Sequence, residues 1–406
     1  AGAVALIAAA AVRFWMPDCT KIRYKVRRAL CHPCCGNPLH LRDGEKLPAV
    51  ICIAVCKGIY ELTIKGGAVT VETIADAASA ISSALDGKYV QYAITQTDTG
   101  VAFDRVTFKV EDVTFDRTLT FSDVEQMRPQ SPTKLMVQNG TEIDLTTSGS
   151  ILCAGKTRSG KTTGIIALLI QVLLAGPDSH GGKITIIDPK QAELSRLPYV
   201  ISLDEDGEAK AILNAVKQFA ASIKNRQKIL NDLSLAKGDA IKWWDAKMCP
   251  SFLFLDEYVS LRAILPSKAA KDDPEYCLAT FDSYIKRIVT MGASAGCYVI
   301  ISIAEASVQE GGLPAMLRSA MSTRILFRPS KSEALLMWDK VKIDPLPERV
   351  YGPGDAWFSS TDGVHDNVSY VHFPKMDFPV YRELGRLLAL YYADAPDDAP
   401  PPPRET

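Results

Sequence analysis

The stretch from Ser150 to Leu174 constrains the fold more than any other part of the chain. A short apolar segment, Ile151–Ala154, leads into Gly155–Thr162, which reads GKTRSGKT, and an apolar helical run follows at once. The pattern G-x-x-x-x-G-K-[ST] between a strand and a helix is typical of a phosphate-binding loop. Its glycines let backbone N–H groups surround a phosphate chain, and the helix directs its positive N-terminal end at the same anion. The stretch therefore predicts an α/β fold that binds a nucleotide.

Side chains within this loop have separate expected roles. Lys161 is placed to reach the β- and γ-phosphates, and the hydroxyl of Thr162 is placed to bind Mg²⁺. The residues expected to contact the nucleotide are Gly155, Lys156, Thr157, Arg158, Ser159, Gly160, Lys161, Thr162 and Thr163. A chance glycine turn is the alternative, and the fit of both flanks disfavours it. The predicted cofactors are ATP and Mg²⁺.

A second apolar segment, Ser251–Leu255, ends in the two carboxylates Asp256 and Glu257. Strand and helix signals alternate from Thr133 onward, which predicts a mostly parallel sheet with helices on both faces. Ligands of such sheets bind at the carboxyl ends of the strands, where the phosphate loop and this acidic pair both lie. We expect Asp256 to hold the Mg²⁺ ion opposite Thr162, and Glu257 to polarise the water that attacks the γ-phosphate.

Composition excludes few partners. The formal charge of −1 gives no global basic field, although local basic patches would still permit a DNA partner. Ten cysteines in 406 residues do not form the dense framework of a small secreted domain, and a reducing cytosol fits best. The segment Cys31–His40 brings Cys and His together without a second C-x-x-C pair. A zinc site and incidental loop thiols both remain open there.

Four regions are predicted along the chain. Residues 1–16 begin with the apolar run AGAVALIAAAAV, and a basic cluster follows within the next dozen residues. This order fits the cytoplasmic end of a transmembrane helix, with an alanine-rich packed helix or a signal-peptide core as alternatives. Residues 17–129 fit a small N-terminal α/β domain, 130–392 an ATPase motor, and 393–406 a disordered proline-rich tail.

Five motifs together resemble the FtsK/SpoIIIE family of DNA translocases in order and spacing. They are the phosphate loop, Ile187–Leu194 (IDPKQAEL), Leu255–Glu257 (LDE), Ser322–Arg328 (STRILFR) and Gly352–Ala356 (GPGDA). The resemblance covers roughly residues 133–375. It implies a RecA-like motor, a ring of six subunits and ATP-driven movement of DNA through a central pore. It also implies that an arginine acts on the nucleotide of a neighbouring subunit, for which Arg324 and Arg328 are the candidates.

Two departures from the family pattern affect the expected site. Family members usually end the next strand in Ala-Thr-Gln-Arg-Pro, whereas this chain reads Ser302–Ala306 (SIAEA), so the glutamine expected to sense the γ-phosphate is absent. Glu305 is a weak substitute. The Arg-Ala-Ala-Gly expected before that strand is Ala293–Gly296 (ASAG) here.

Within the family, the sequence favours the conjugative branch, because no winged-helix module follows the motor. That branch implies a coupling protein in the inner (cytoplasmic) membrane, with its motor in the cytoplasm, which brings DNA and its relaxase to a secretion channel. Three alternatives stay open. They are a chromosome or plasmid segregation translocase, a type VII-like protein-export ATPase, and a nucleotide-binding scaffold with weak turnover.

Overall fold

The computed structural model describes residues 16–31, 36–42, 44–175, 183–304, 313–347 and 349–391. The helices are α1 (Asp18–Cys31), α2 (Val71–Asp76), α3 (Ala78–Ser83), α4 (Lys161–Leu174), α5 (Lys210–Lys237), α6 (Tyr258–Ile264), α7 (Leu278–Met291), α8 (Ala315–Ala320), α9 (Lys331–Ala334), α10 (Lys340–Ile343) and α11 (Val380–Tyr391). The strands are β1 (Val50–Cys56), β2 (Ile59–Lys65), β3 (Tyr92–Thr99), β4 (Arg105–Asp112), β5 (Thr120–Phe121), β6 (Lys134–Gln138), β7 (Thr141–Asp144), β8 (Ile151–Ala154), β9 (Lys183–Ile187), β10 (Val200–Ile201), β11 (Ser251–Leu255), β12 (Cys297–Ile303), β13 (Thr323–Phe327), β14 (Asp355–Ser360), β15 (Ser369–His372) and β16 (Lys375–Met376).

The chain divides into two compact units. The smaller unit comprises residues up to Asp116 together with 339–349, and the larger comprises 117–338 and the residues from Val350 onward. The sequence pattern predicts that 117–129 belongs to the N-terminal domain. In the structure Phe121, Val124 and Met127 are buried in the core of the larger unit, because they supply apolar surface to its helix and strands. No sequence signal indicated that 339–349 returns to the smaller unit.

The smaller unit contains a four-stranded antiparallel sheet in the order β1-β2-β4-β3. Strand β2 alternates buried and half-buried residues, as expected for a sheet with one covered face. Its core includes Ile22 and Val26 of α1 and Ile74 of α2. Helix α1 packs against β1, and α3 packs against β3.

The larger unit is built on an eight-stranded sheet in the order β10-β9-β11-β12-β8-β13-β14-β15. The six strands from β10 to β13 are parallel, whereas β14 and β15 are antiparallel to their neighbours. The prediction of an α/β fold with a mostly parallel sheet is confirmed. Strand β12 lies between β8, which leads into the phosphate loop, and β11, which directly precedes Asp256.

Helix α4 is almost completely buried, as its unbroken apolar sequence predicts. Its one buried amide side chain, Gln171, is satisfied by the backbone of β6. The side-chain oxygen accepts from Met136 N at 2.7 Å, and the amide nitrogen donates to Met136 O at 2.9 Å. These bonds fasten the hairpin β6–β7 to the helix that begins at the phosphate loop.

Several sequence predictions concern residues outside the described ranges. They are nearly all of the predicted membrane remnant 1–16, the residues His32, Cys34 and Cys35 of the candidate zinc cluster, Glu305, and the tail 393–406. Within the described ranges, no helix combines the length and the apolar character needed to cross a bilayer. The same part of the chain holds no group of three or more metal-ligating side chains near enough together to hold an ion.

Candidate nucleotide-binding site

Two glycines of the phosphate loop are required by its geometry. Gly155 has φ +152°, and a Cβ there would lie 2.9 Å from Cβ of Phe327. Gly160 has φ +87°, and a Cβ there would overlap the backbone of Gly354. L side chains rarely adopt such φ values, so both positions need glycine for conformation as well as for space. The loop is thereby held in a tight curve at the start of α4.

The turn Gly352–Asp355 supports this loop from outside. Gly354 N donates to Ser159 O at 3.0 Å, and Phe373 N donates to Gly354 O at 2.9 Å. The carboxylate of Asp355 accepts from Gly352 N at 2.6 Å and from the Tyr370 hydroxyl at 2.7 Å. Because these hydrogen bonds fix its own backbone, the turn holds the phosphate loop in place from that side.

Lys161 is buried, with 7% of its surface exposed, at the bottom of the loop. Its Nζ donates to Ile303 O at 2.9 Å and lies 4.0 Å from Oε1 of Glu257. Burial lowers the pKa of Lys161, and the nearby carboxylates of Glu257 and Asp256 oppose that change. A bound phosphate group would favour the charged form of Lys161, because its negative charge would lie beside the ammonium.

Asp256 and Glu257 follow β11 at the same edge of the sheet. Asp256 N donates to Ile187 O at 3.0 Å, which continues the parallel pairing of β11 with β9. Burial raises the pKa of Asp256, and the nearby Ser302 hydroxyl and Lys161 oppose the rise. Glu257 has φ 48° and ψ 54°, a left-handed conformation that is uncommon outside glycine, and it directly precedes α6.

The donors present fit a nucleotide with Mg²⁺. The hydroxyls of Ser159 and Ser302 are buried and have no hydrogen-bond partner among the described residues, although Ser302 lies near Asp256. Buried polar groups without partners are uncommon and point to a ligand. Mg²⁺ prefers one or two protein oxygen ligands, with phosphate and water supplying the rest. Thr162 and Asp256 are the residues that would hold it.

The remaining loop residues lie on the outside. Lys156, Thr157, Arg158 and Thr163 are exposed, so their side chains can contact only the outer part of a bound nucleotide. Lys156 Nζ lies 3.5 Å from a carboxylate oxygen of Glu333. Arg158 adopts a left-handed conformation with φ 65°.

The two candidate arginines differ in their surroundings. Arg324 is half-buried within β13, and its guanidinium donates to Met337 O at 2.5 Å and to Arg318 O at 3.2 Å. Arg328 follows β13 and is exposed, and its side chain has no hydrogen bond or ion pair with any described residue. Since Leu326 pairs with Ala154, Arg328 lies at the edge of the sheet beside the phosphate loop.

Sequence reasoning gave no chemical role to the loop after β9, although its motif carried the resemblance. Asp188 is fully buried, and its carboxylate accepts from Lys190 N at 3.0 Å, Ala192 N at 3.0 Å and Ser195 N at 3.2 Å. Lys190 Nζ lies 3.0 Å from Oε1 of Glu257. An acid at the end of an apolar strand was the available signal, but its partners could not be read from the pattern.

Residues 122–285 match the model of the FtsK/SpoIIIE family. The matched residues include the phosphate loop, the loop after β9 and the Asp256–Glu257 pair. The predicted resemblance to the FtsK/SpoIIIE family is confirmed, and so is the prediction of a P-loop ATPase.

The curated proteins to which this chain is similar include several named DNA translocase FtsK. The protein from Campylobacter jejuni is 25% identical over 234 residues, which are 56% of this chain and 23% of the relative. The protein from Helicobacter pylori (strain ATCC 700392 / 26695) is 26% identical over 203 residues, which are 48% of this chain and 22% of the relative. The chain thus spans about a quarter of the length of these relatives.

One solved structure is similar over nearly the whole chain. It is the monomer form of the pCW3 conjugation coupling protein TcpA with ATPγS, at TM-score 0.53 and 16% identity, covering 91% of this chain and 99% of that chain. At this identity the likeness shows a shared fold.

Proposed function

We propose that this protein is an ATP-driven DNA translocase that acts as a coupling protein, delivering DNA with its relaxase to a conjugative secretion channel. The observation that carries the ATP-driven part is the grouping of Lys161, Asp256 and Glu257 at one edge of the sheet in an FtsK/SpoIIIE domain. The conjugative part is supported by the fold shared with TcpA over nearly the whole chain.

In this proposal each charged side chain has one task. Lys161 neutralises the β- and γ-phosphates, since it is the buried cation of the loop. Thr162 and Asp256 hold Mg²⁺, which stabilises charge on the phosphates when it is bound. Glu257 accepts the proton of the attacking water, for which its carboxylate must be charged.

Assembly and location extend the proposal. A chain with a formal charge of −1 has no overall field for DNA, so binding depends on loops brought together in a ring, for which we propose six subunits. Arg328 is our candidate for the arginine that acts across the subunit boundary, because its guanidinium is exposed. We propose that residues 1–16 anchor the protein in the inner membrane, with the motor in the cytoplasm.

The experiment measures ATP hydrolysis with and without duplex DNA, across protein concentration, at two salt concentrations. We expect turnover to rise with DNA and with protein concentration, and the DNA effect to fall steeply with salt. Displacement of a third strand from a DNA triplex reports movement along DNA. Glu257→Gln should bind ATP but fail in both assays, and turnover independent of DNA and protein concentration would contradict the proposal.

The curated relatives favour a second candidate, a segregation translocase of the FtsK kind. The two candidates differ in the partner rather than in the motor. We expect the full-length protein to bind the relaxase of its own element and Lys161→Ala cells to lose DNA transfer in mating. Normal transfer together with defective chromosome segregation would favour the second candidate.

A further inference from the structure

Two lysines face one carboxylate oxygen in the candidate site. Oε1 of Glu257 lies 3.0 Å from Lys190 Nζ and 4.0 Å from Lys161 Nζ. Coulomb attraction falls with distance, so at equal screening the Lys190 pair is the stronger. Lys161 directs its hydrogen bond to Ile303 O instead, at 2.9 Å.

The position of Lys190 does not depend on this ion pair. Its backbone N–H is bound by the buried Asp188 carboxylate, which also binds Ala192 N and Ser195 N. The pairing of Ile187 with Leu255 places this loop beside the end of β11. The lysine therefore projects from a fixed support, which is a requirement for orienting a neighbour.

Glu257 has a fixed backbone and two possible cations. It directly precedes α6 in a left-handed conformation, so the rotation of its side chain decides which lysine it pairs with. The Lys161 side chain is 8% exposed, whereas that of Lys190 is 51% exposed. A close pair with the buried lysine would be less screened by water and would compete with the phosphates of ATP for the same ammonium.

We infer that Lys190 is a positioning residue that holds Glu257 away from Lys161 and so keeps Lys161 available to ATP. The ion pair uses Oε1 of Glu257, and the other oxygen has no hydrogen bond to a described residue. That oxygen is then the one that faces the attacking water. The inference rests on the proposed function, because it concerns the same site.

The test begins with Lys190→Met, which keeps the length of the side chain and removes its charge. Without Lys190, Glu257 pairs with Lys161, so we expect ATP to bind about threefold more weakly and kcat to fall about tenfold. Lys190→Arg should restore most of both, because a cation remains. The matched control is Lys217→Met, since Lys217 is 46% exposed and pairs with Glu275; it should change neither quantity.

A double-mutant cycle separates positioning from general disturbance. In the Glu257→Gln background the neutral amide is not drawn to Lys161, so adding Lys190→Met should leave ATP affinity unchanged. Equal, additive losses in both backgrounds would overturn the inference. A higher kcat in Lys190→Met would also overturn the inference. It would mean that the ion pair with Lys190 holds Glu257 in an arrangement that slows hydrolysis.

The readouts keep this inference distinct from the proposed function. Binding is measured with a fluorescent ATP analogue, and it reports on Lys190 even if the wild-type protein shows no DNA-stimulated turnover. Absent turnover with the expected binding pattern would contradict the proposed function alone. Normal turnover with no binding effect of Lys190→Met would contradict the inference alone.

Discussion

The two ends of the central sheet present contrasting surfaces. At the carboxyl ends of the strands lie Lys161, Lys190, Asp256 and Glu257, with short distances between opposite charges. At the amino ends lies a groove of about 710 Å³, in which Lys242 is the only charged residue among the described lining residues. Its polar lining residues are Thr146, Thr147, Ser148, Ser150, Gln227, Asn231, Ser234, Ser294 and Ser322. The volume of a groove therefore does not by itself identify the candidate catalytic site of the larger unit.

Backbone conformation shows the same contrast. Four residues other than glycine have positive φ within a few positions after the ends of β8, β9, β11 and β13: Arg158, Gln191, Glu257 and Arg328. Each such residue costs about 1–2 kcal/mol relative to an ordinary conformation. At the amino ends the described residues include two, Tyr199 directly before β10 and Lys247 before β11. Among the described residues of the larger unit, four of these six residues lie at the carboxyl ends, which supports a functional origin for the strain there.

The largest expected effect concerns the charged residues at the carboxyl ends of the strands. Lys161→Ala removes the buried ammonium of the loop. We expect ATP affinity to fall about 100-fold or more and hydrolysis to become unmeasurable, because water screens an ion pair to phosphate only weakly in a buried site. Binding of a fluorescent ATP analogue measures this. The control is Lys156→Ala, whose side chain is 70% exposed; a comparable loss there would show that the buried position has no special role.

An intermediate effect separates the two arginines. We expect Arg328→Ala to bind ATP normally but to lose about 100-fold in hydrolysis, and to regain part of it when mixed with Lys161→Ala subunits through hybrid interfaces. Arg324→Ala should instead lower the unfolding temperature, since it removes hydrogen bonds to two carbonyls and costs about 1–3 kcal/mol.

Thermal unfolding and mixed-subunit hydrolysis assays distinguish these outcomes. A stable Arg324→Ala protein without hydrolysis, beside an active Arg328→Ala protein, would assign the acting arginine to Arg324.

The smallest expected effect concerns the groove. Asn231 is exposed in its lining, so Asn231→Ala should change stability by less than about 0.5 kcal/mol. Hydrolysis, with and without DNA, should stay within about twofold of wild type. A tenfold fall in DNA-stimulated turnover, with the unstimulated rate unchanged, would place the groove in the motor and remove the contrast between the two ends.

Local sequence patterns were sufficient to locate the strands that lead into the candidate site and the residues that follow them. The apolar segments Ile151–Ala154 and Ser251–Leu255 form strands with the bounds that the sequence indicates, since a continuous apolar run bounded by turn residues is typical of a buried strand. The loop glycines, Lys161 and the Asp256–Glu257 pair were likewise identified as candidates from the sequence, because each motif consists of residues a few positions apart.

Tertiary structure alone decided which of these residues meet. Gly354 supports Ser159 from 195 positions along the chain, and Lys190 meets Glu257 from the neighbouring strand. Arg324 and Arg328 look equivalent in sequence, yet one is bound to backbone carbonyls and the other is exposed. Periodicity specifies which face of an element is buried, but partners across a sheet edge follow from strand order and register, which no local pattern contains.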